Sequence, residues 1–118
     1  MQYLKRRKNA FKYAGHGVVK LFRNEEHARI HLLAAVCVIA AGFIFHVSPT
    51  EWCLLCICIG AVFMAEGFNT AIEKLADRVT REQDPLIGAA KDVAAGAVLL
   101  MAVASVVVGL IIFLPKFL

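Results

Sequence analysis

The sequence predicts an all-α membrane protein with three transmembrane helices and an N-terminal amphipathic helix on the membrane surface. Of its 118 residues, 60% are hydrophobic and the mean hydropathy is +0.71, whereas soluble domains are roughly 45–50% apolar. Only 9% are aromatic, so the excess consists of aliphatic and small residues, which is typical of helices packed in lipid and not of membrane β-barrels. We expect one membrane-embedded domain over residues 1–118, because this length has room for three spans and no more.

The surface helix is predicted over residues 1–23. Its apolar positions recur at spacings of seven, seven and four residues: Leu4, Phe11, Val18 and Phe22. Basic side chains project from the other side: Lys5, Arg6, Lys12 and Lys20. This pattern is typical of a helix that lies in the membrane interface.

The first and third spans are predicted at 25–47 and 88–114. Val93 to Leu114 is an uncharged run of 22 residues, which at 1.5 Å per residue crosses a hydrocarbon core of about 30 Å. The first span has an apolar run that is interrupted only near its ends, by His31 and His46. Both segments are therefore expected to cross the bilayer.

The second span, predicted at 51–79, is apolar only from Trp52 to Ala65. A lipid-exposed helix of that length would be too short to cross a bilayer, because about 20 apolar residues are needed. Helix-forming character continues past Ala65 to about Val79, and this part carries acidic residues. The acidic part is therefore expected to face protein or water.

The basic residues orient the chain. Eight of the thirteen Lys and Arg residues precede the apolar run of the first span, four lie between the apolar runs of the second and third spans, and the loop 46–51 has none. Because Lys and Arg near span ends favour the cytoplasm, we expect a multi-pass protein of the cell inner (cytoplasmic) membrane with a cytoplasmic N-terminus. The net charge of +4 then reflects topology and contact with anionic membrane lipids, and nothing in the sequence indicates binding to nucleic acid.

A polar stripe on the second span is the main functional signal. Spacings of three, four and four residues place its members on one helix face: Glu66, Asn69, Glu73 and Asp77. If the apolar core begins at Trp52, Glu66 lies about 21 Å into it. A charged side chain costs on the order of 3 kcal/mol at the bilayer centre, so we interpret Glu66 as a functional residue. The alternative is a neutral Glu that holds helices together through hydrogen bonds.

Other polar residues are predicted at the cytoplasmic depth of Glu73. Glu25 begins the first span, and Lys91 and Asp92 open the third. Mg²⁺ takes one or two carboxylates and completes its shell with water and phosphate oxygens, so Glu25 and Glu73 are candidates for such a site. Each residue also has an ordinary interpretation as a helix-capping acid, a surface carboxylate or a snorkelling lysine. The chain has no Walker A motif and no protein-kinase glycine-rich loop, so these residues alone do not establish nucleotide binding.

Two segments resemble a known family. Residues 66–79 (EGFNTAIEKLADRV) and 90–99 (AKDVAAGAVL), together with Asn24, Glu25 and Arg29, are similar to the signature of the prokaryotic integral-membrane diacylglycerol kinases, which include undecaprenol kinases. The resemblance implies a homotrimeric helical bundle of three-span subunits. It also implies transfer of the γ-phosphate of MgATP to a lipid hydroxyl at the cytoplasmic interface, in phospholipid or cell-envelope lipid metabolism.

The resemblance also implies roles for individual residues. Glu66 corresponds to the catalytic base and Asn69 to the residue beside it that orients the reacting groups, while Glu25 and Glu73 correspond to the Mg²⁺ ligands. The implied ATP-binding residues are Arg6, Tyr13, Glu25, Glu73, Glu82, Gln83, Asp84, Lys91 and Asp92. The implied contacts to the lipid substrate are Glu66, Arg29, Ile30, His31 and Ala95.

Departures from the diacylglycerol kinase branch concern positions that border the lipid there. That branch has Gln, Glu, Ser and Trp where this chain has Ile30, His31, Ala95 and Gly109. The runs 30–32 and 94–97, and Pro115, look more like the undecaprenol kinase branch. Undecaprenol is therefore the expected acceptor, with diacylglycerol as the second candidate.

Two other function classes remain open at the level of the residues. In a small proton-coupled transporter, Glu66 would bind and release protons. This explains Glu66 but not the other polar residues at one cytoplasmic depth: Asn69, Glu73, Lys91 and Asp92. In a non-catalytic, holin-like bundle the polar stripe would be replaceable. Oligomerisation has its own rationale, because three helices are too few to shield Glu66 from lipid.

Overall fold

A computed structural model describes all 118 residues as four α-helices: α1 (Gln2–Asn24), α2 (Glu26–Ile44), α3 (Pro49–Val79) and α4 (Pro85–Phe117). The predicted all-α fold is confirmed. By length and composition, α2, α3 and α4 can each cross a membrane, as predicted. The end of the bundle where α2 begins, α3 ends and α4 begins is called the polar end below.

α1 is an exposed helix that contributes no buried residue. It contacts the bundle near its C-terminus, where the rings of Phe22 and Phe63 meet edge to face with centroids 5.0 Å apart. Glu25 separates α1 from α2 with an extended backbone (φ −108°, ψ 115°). The last turn of α1 is therefore held against α3, one turn from Glu66.

A tight turn joins α2 to α3. α2 ends at Ile44, three residues before the predicted limit, because His46 adopts a left-handed backbone (φ 54°) that a helix cannot continue through. Ser48 and Glu51 then form a capping box: the Ser48 hydroxyl accepts from the Glu51 N–H, and the Glu51 carboxylate accepts from the Ser48 N–H. Pro49 occupies the first turn, where its missing N–H costs nothing.

α4 is longer than predicted at both ends. It begins at Pro85 because the Asp84 carboxylate accepts hydrogen bonds from the N–H groups of Leu86 and Ile87. At the other end it continues through Pro115 to Phe117. Lys116 there lies 2.9 Å from the Glu51 carboxylate, so an ion pair joins the end of α4 to the start of α3.

The most extensive packing is between α3 and α4, and the core is small. Val47, Leu55 and Ile112 form its buried cluster, and most large apolar side chains of the three spans are exposed. Such surfaces are stable in contact with lipid or with further copies of the chain.

Candidate active site

His31 on α2 and Glu66 on α3 meet near the polar end of the bundle. Nδ1 of His31 lies 2.7 Å from Oε1 of Glu66, the distance of a charge-assisted contact. The ring N–H is not aligned with the oxygen, so Nδ1 is without a formed hydrogen bond. The contact joins α2 to α3 through one imidazole and one carboxylate.

Glu66 is 4% exposed and is the one buried charged residue of the chain. The last turn of α1 lies over the neighbouring part of α3, where Leu21 approaches Gly67 and Phe22 contacts Phe63. The carboxylate is therefore shielded by α1 and α2 although α3 carries it. An acid placed this way is costly unless it has a partner, and His31 is that partner.

Asn69 and Glu73 lie on the next two turns of α3. The Asn69 amide N–H donates to Oε1 of Glu73 across 3.4 Å, and both side chains are half-buried. Oδ1 of Asn69 is buried without a hydrogen-bond partner. An unpaired amide oxygen beside a carboxylate is a donor set that suits a hard cation such as Mg²⁺.

Glu25, the other predicted metal ligand, is half-buried at the junction of α1 and α2. Its backbone N–H bonds to Leu21 and its backbone carbonyl accepts from Arg29, while its side chain makes no cap hydrogen bond. The carboxylate is thus held near the polar end by its backbone. No three His, Cys, Asp or Glu side chains form a cluster able to hold a metal ion, so a cation here would need ligands from water, a substrate or another subunit.

Lys91 and Asp77 link α4 to α3 at the polar end. The Lys91 ammonium lies 2.6 Å from Oδ1 of Asp77, and both side chains are substantially exposed. Asp92, beside Lys91, is exposed. Asp77, the fourth member of the polar stripe, therefore holds a lysine from the second turn of α4.

A polar cavity of about 520 Å³ surrounds the connection between α3 and α4, which is within the range of small-molecule sites, about 300–1,000 Å³. Four predicted ATP-binding residues line it: Glu82, Gln83, Asp84 and Lys91. Thr80 and Arg81 also line it, and neither was predicted from sequence. Arg81 could have been identified from its position in the sequence, because it lies in the short connection directly after the polar stripe.

A second cavity, of about 260 Å³, is almost entirely apolar and lies between α2, α3 and α4. His31 lines it together with Ala34 and Ala35 on α2, and Ser105 and Gly109 contribute from α4. On α3 its lining runs from Leu55 to Phe63, which is about 12 Å of helix. The cavity thus extends from the His31 side chain toward the end of the bundle that carries Trp52.

The remaining predicted residues do not join these groups within one chain. Arg6 and Tyr13 lie on exposed α1, and Ala95 is exposed on α4. Arg29 and Ile30 are exposed next to His31, and the Arg29 guanidinium donates to the carbonyl of Arg23 across 3.4 Å. Asp84 is present in the polar cavity, but its Oδ1 caps α4.

The family model for prokaryotic diacylglycerol kinase matches residues 12–113, which include both cavities and the whole polar stripe. This chain belongs to the prokaryotic diacylglycerol kinase family. The match confirms the family resemblance and the prediction of a lipid kinase. With three helices able to span a membrane, it also fits a multi-pass membrane protein.

Individual relatives agree with the family match. The chain is 44% identical to the undecaprenol kinase of Bacillus subtilis over 107 residues, which are 91% of this chain and 87% of that protein. It is 38% identical to the diacylglycerol kinase of Synechocystis over 110 residues, 92% of this chain and 63% of that protein. It is also 38% identical to the diacylglycerol kinase of Pseudomonas aeruginosa over 95 residues, 80% and 76% of the two chains. These relatives are kinases by name and give no support to the transporter alternative.

Proposed function

We propose that this protein transfers the γ-phosphate of MgATP to the hydroxyl of a lipid alcohol, with undecaprenol as the acceptor. The observation that carries the proposal is the position of Glu66, a buried carboxylate held next to His31 where an apolar cavity begins. A lipid alcohol is the kind of substrate that needs an apolar cavity for its tail and a base for its hydroxyl.

In the proposed reaction the lipid hydroxyl oxygen attacks the γ-phosphorus of ATP. The new O–P bond forms as the bond from the γ-phosphorus to the bridging oxygen of ADP breaks, and the hydroxyl proton passes to the Glu66 carboxylate. General base catalysis of this kind contributes about 10²–10⁴-fold to a rate. The remaining catalysis of phosphoryl transfer comes from positioning and charge stabilisation.

Glu73 and Glu25 are the proposed Mg²⁺ ligands, and Asn69, which is also proposed to orient the reacting groups, would add an amide oxygen beside Glu73. The contact between Asn69 and Glu73 and the unpaired Oδ1 of Asn69 support it. When bound, Mg²⁺ would neutralise charge on the phosphates and hold them in line for transfer. Two carboxylates and an amide oxygen leave coordination positions for ATP oxygens and water, as Mg²⁺ prefers.

The polar cavity is the proposed nucleotide site. Lys91 and Arg81 place two cations on its wall, and cations there would stabilise the phosphates. Arg6, Tyr13, Glu82, Gln83, Asp84 and Asp92 remain proposed ATP contacts from the resemblance. Asp84 is the weakest of these, because its Oδ1 already accepts two backbone hydrogen bonds.

One observation supports undecaprenol over diacylglycerol. The relative at 44% identity is named undecaprenol kinase, whereas the two relatives at 38% are named diacylglycerol kinase. The cavity beside His31 is lined mainly by aliphatic and small side chains, which suits the apolar tail of either lipid. Arg29 and Ile30, near the start of α2, and Ala95 on α4 are the further proposed lipid contacts.

A homotrimer in the inner membrane, with its N-terminus and active site on the cytoplasmic side, completes the proposal. The small core and the exposed apolar faces of α2, α3 and α4 support assembly with further copies. A neighbouring copy would also bring α1 of one subunit, with Arg6 and Tyr13, toward the polar end of another. Shared sites of this kind would explain why one chain alone leaves those residues apart.

The test is phosphorylation by the purified protein with γ-labelled ATP and Mg²⁺, using undecaprenol and diacylglycerol in separate reactions. We expect labelled undecaprenyl phosphate, and a kcat/KM for undecaprenol at least tenfold above that for diacylglycerol. A higher kcat/KM for diacylglycerol would replace the proposed acceptor. Label in no lipid alcohol, from protein that is folded in the same detergent, would refute the proposed reaction.

A further inference from the structure

We infer that His31 is a positioning residue for Glu66: it fixes the carboxylate so that one oxygen faces the imidazole and the other faces the lipid hydroxyl. The inference rests on the proposed function, since it assigns a partner to the proposed base. It differs from the role implied by the family resemblance, in which His31 contacts the lipid.

The first support is the contact itself. Nδ1 of His31 lies 2.7 Å from Oε1 of Glu66, and the Glu66 carboxylate has no hydrogen bond or ion pair with any other residue of the chain. Glu66 has three side-chain torsions, and an unpaired carboxylate in an apolar helix would turn toward any available water or donor. A single polar partner on α2 selects one orientation of the carboxylate.

The second support is the location of the imidazole. His31 is half-buried: its Nδ1 is against Glu66, and its side chain also lines the apolar cavity. Its ring therefore stands where the proposed tail site meets the proposed base. A side chain at this junction can align the base with the head of any lipid that enters the cavity.

The third support is the absence of a competing partner. The nearest polar groups of the stripe pair among themselves, Asn69 with Glu73 and Asp77 with Lys91. The last turn of α1 presents Leu21 and Phe22 to this part of α3, and neither can donate a hydrogen bond. Orientation of Glu66 within the chain therefore depends on His31.

The experiment compares steady-state kinetics of the wild type with His31→Leu, His31→Gln and His31→Asn. Asn carries its amide close to the position of Nδ1, while Gln carries it farther out, near Nε2. We expect kcat to fall about 10- to 100-fold in His31→Leu, as for other losses of alignment at a reacting group. KM for lipid and for ATP should stay within twofold, and His31→Asn should recover at least a third of the lost activity, more than His31→Gln.

His27→Leu is the matched control, because His27 is exposed one turn earlier on α2 and its side chain makes no hydrogen bond or ion pair. It should leave kcat unchanged. Thermal unfolding in detergent must show that every variant is folded. If His31→Leu does not fold, the kcat of His31→Asn relative to that of His31→Gln still tests the inference.

Two results would overturn the inference while leaving the proposed function intact. One is a His31→Leu variant with wild-type kcat. The other is a change in KM for the lipid alone, with no preference for Asn over Gln, since this is the behaviour of a lipid contact. A wild-type protein that labels no lipid would instead overturn the proposed function, and the inference with it.

Discussion

The Lys91 ammonium lies 2.6 Å from Oδ1 of Asp77, and this ion pair joins the start of α4 to the end of α3 beside the polar cavity. Solvent screens exposed ion pairs of this kind, so the pair contributes little to stability. Its larger consequence is to hold a cation at the wall of the proposed nucleotide site.

Lys91→Met should therefore raise KM for ATP about tenfold, because a cation facing phosphate is lost. Asp77→Asn removes the ion pair but keeps the lysine, and we expect less than a threefold change in KM. Initial rates at varied ATP check both. If Lys91 acts only through the ion pair, the two variants will show equal changes.

Glu66→Gln should lower the rate of lipid phosphorylation by at least 100-fold, because Gln keeps the size of the side chain but cannot accept the hydroxyl proton. The protein should remain folded and able to assemble. Glu26→Gln is the matched control, since Glu26 is exposed in the first turn of α2 and should retain full activity. Turnover of Glu66→Gln near that of the wild type would exclude Glu66 as the base.

The proposed Mg²⁺ site predicts a common defect for two residues. Glu25→Gln and Glu73→Gln should each raise the Mg²⁺ concentration for half-maximal rate by about tenfold or more, because each removes a charged ligand. The measurement is a Mg²⁺ titration at saturating ATP and lipid. An unchanged Mg²⁺ requirement in both variants would contradict the proposed Mg²⁺ site. Glu82→Gln is the comparison variant: it shows whether loss of another carboxylate, from the polar cavity, also raises the Mg²⁺ requirement.

Periodicity and composition were sufficient to predict the four helices, because long apolar runs and spacings of three and four residues are local properties of the sequence. The polar stripe was predictable for the same reason. The exact ends of the helices were harder to predict from the sequence. α2 ends early because His46 has a left-handed backbone, and α4 begins early because Asp84 caps it. These ends depend on single backbone conformations and side-chain hydrogen bonds that periodicity does not encode.

The pairing of His31 with Glu66 could not be predicted from sequence. Both residues were identified as site residues, His31 as a lipid contact and Glu66 as the base. Their contact was not predicted, because they lie on different helices and meet only through the rotation of α2 against α3. Arg81 was missed for a similar reason, since the cavity that it lines forms only when the connection between α3 and α4 folds.

Gly42 allows α2 to approach α3 next to the turn that joins them. A Cβ atom at this position would lie 2.5 Å from a carbon of the Trp52 indole and within 3.0 Å of two more. The indole is also packed on Phe43, with ring centroids 4.9 Å apart, so it cannot move away without loss of that contact. The Cβ of an alanine at position 42 would therefore have to displace the Trp52 indole.

Gly42→Ala should accordingly destabilise the protein by about 1–3 kcal/mol, the usual cost of overpacking. This exceeds the gain of up to about 1 kcal/mol from replacing a helical Gly with Ala. Gly60→Ala is the matched control on α3, because nothing lies within 4 Å of a Cβ there. Thermal unfolding in one detergent should show a Tm below that of the wild type for Gly42→Ala, and a Tm equal to or above it for Gly60→Ala. Equal Tm values for the two variants would mean that α2 and α3 are not in close contact at Trp52.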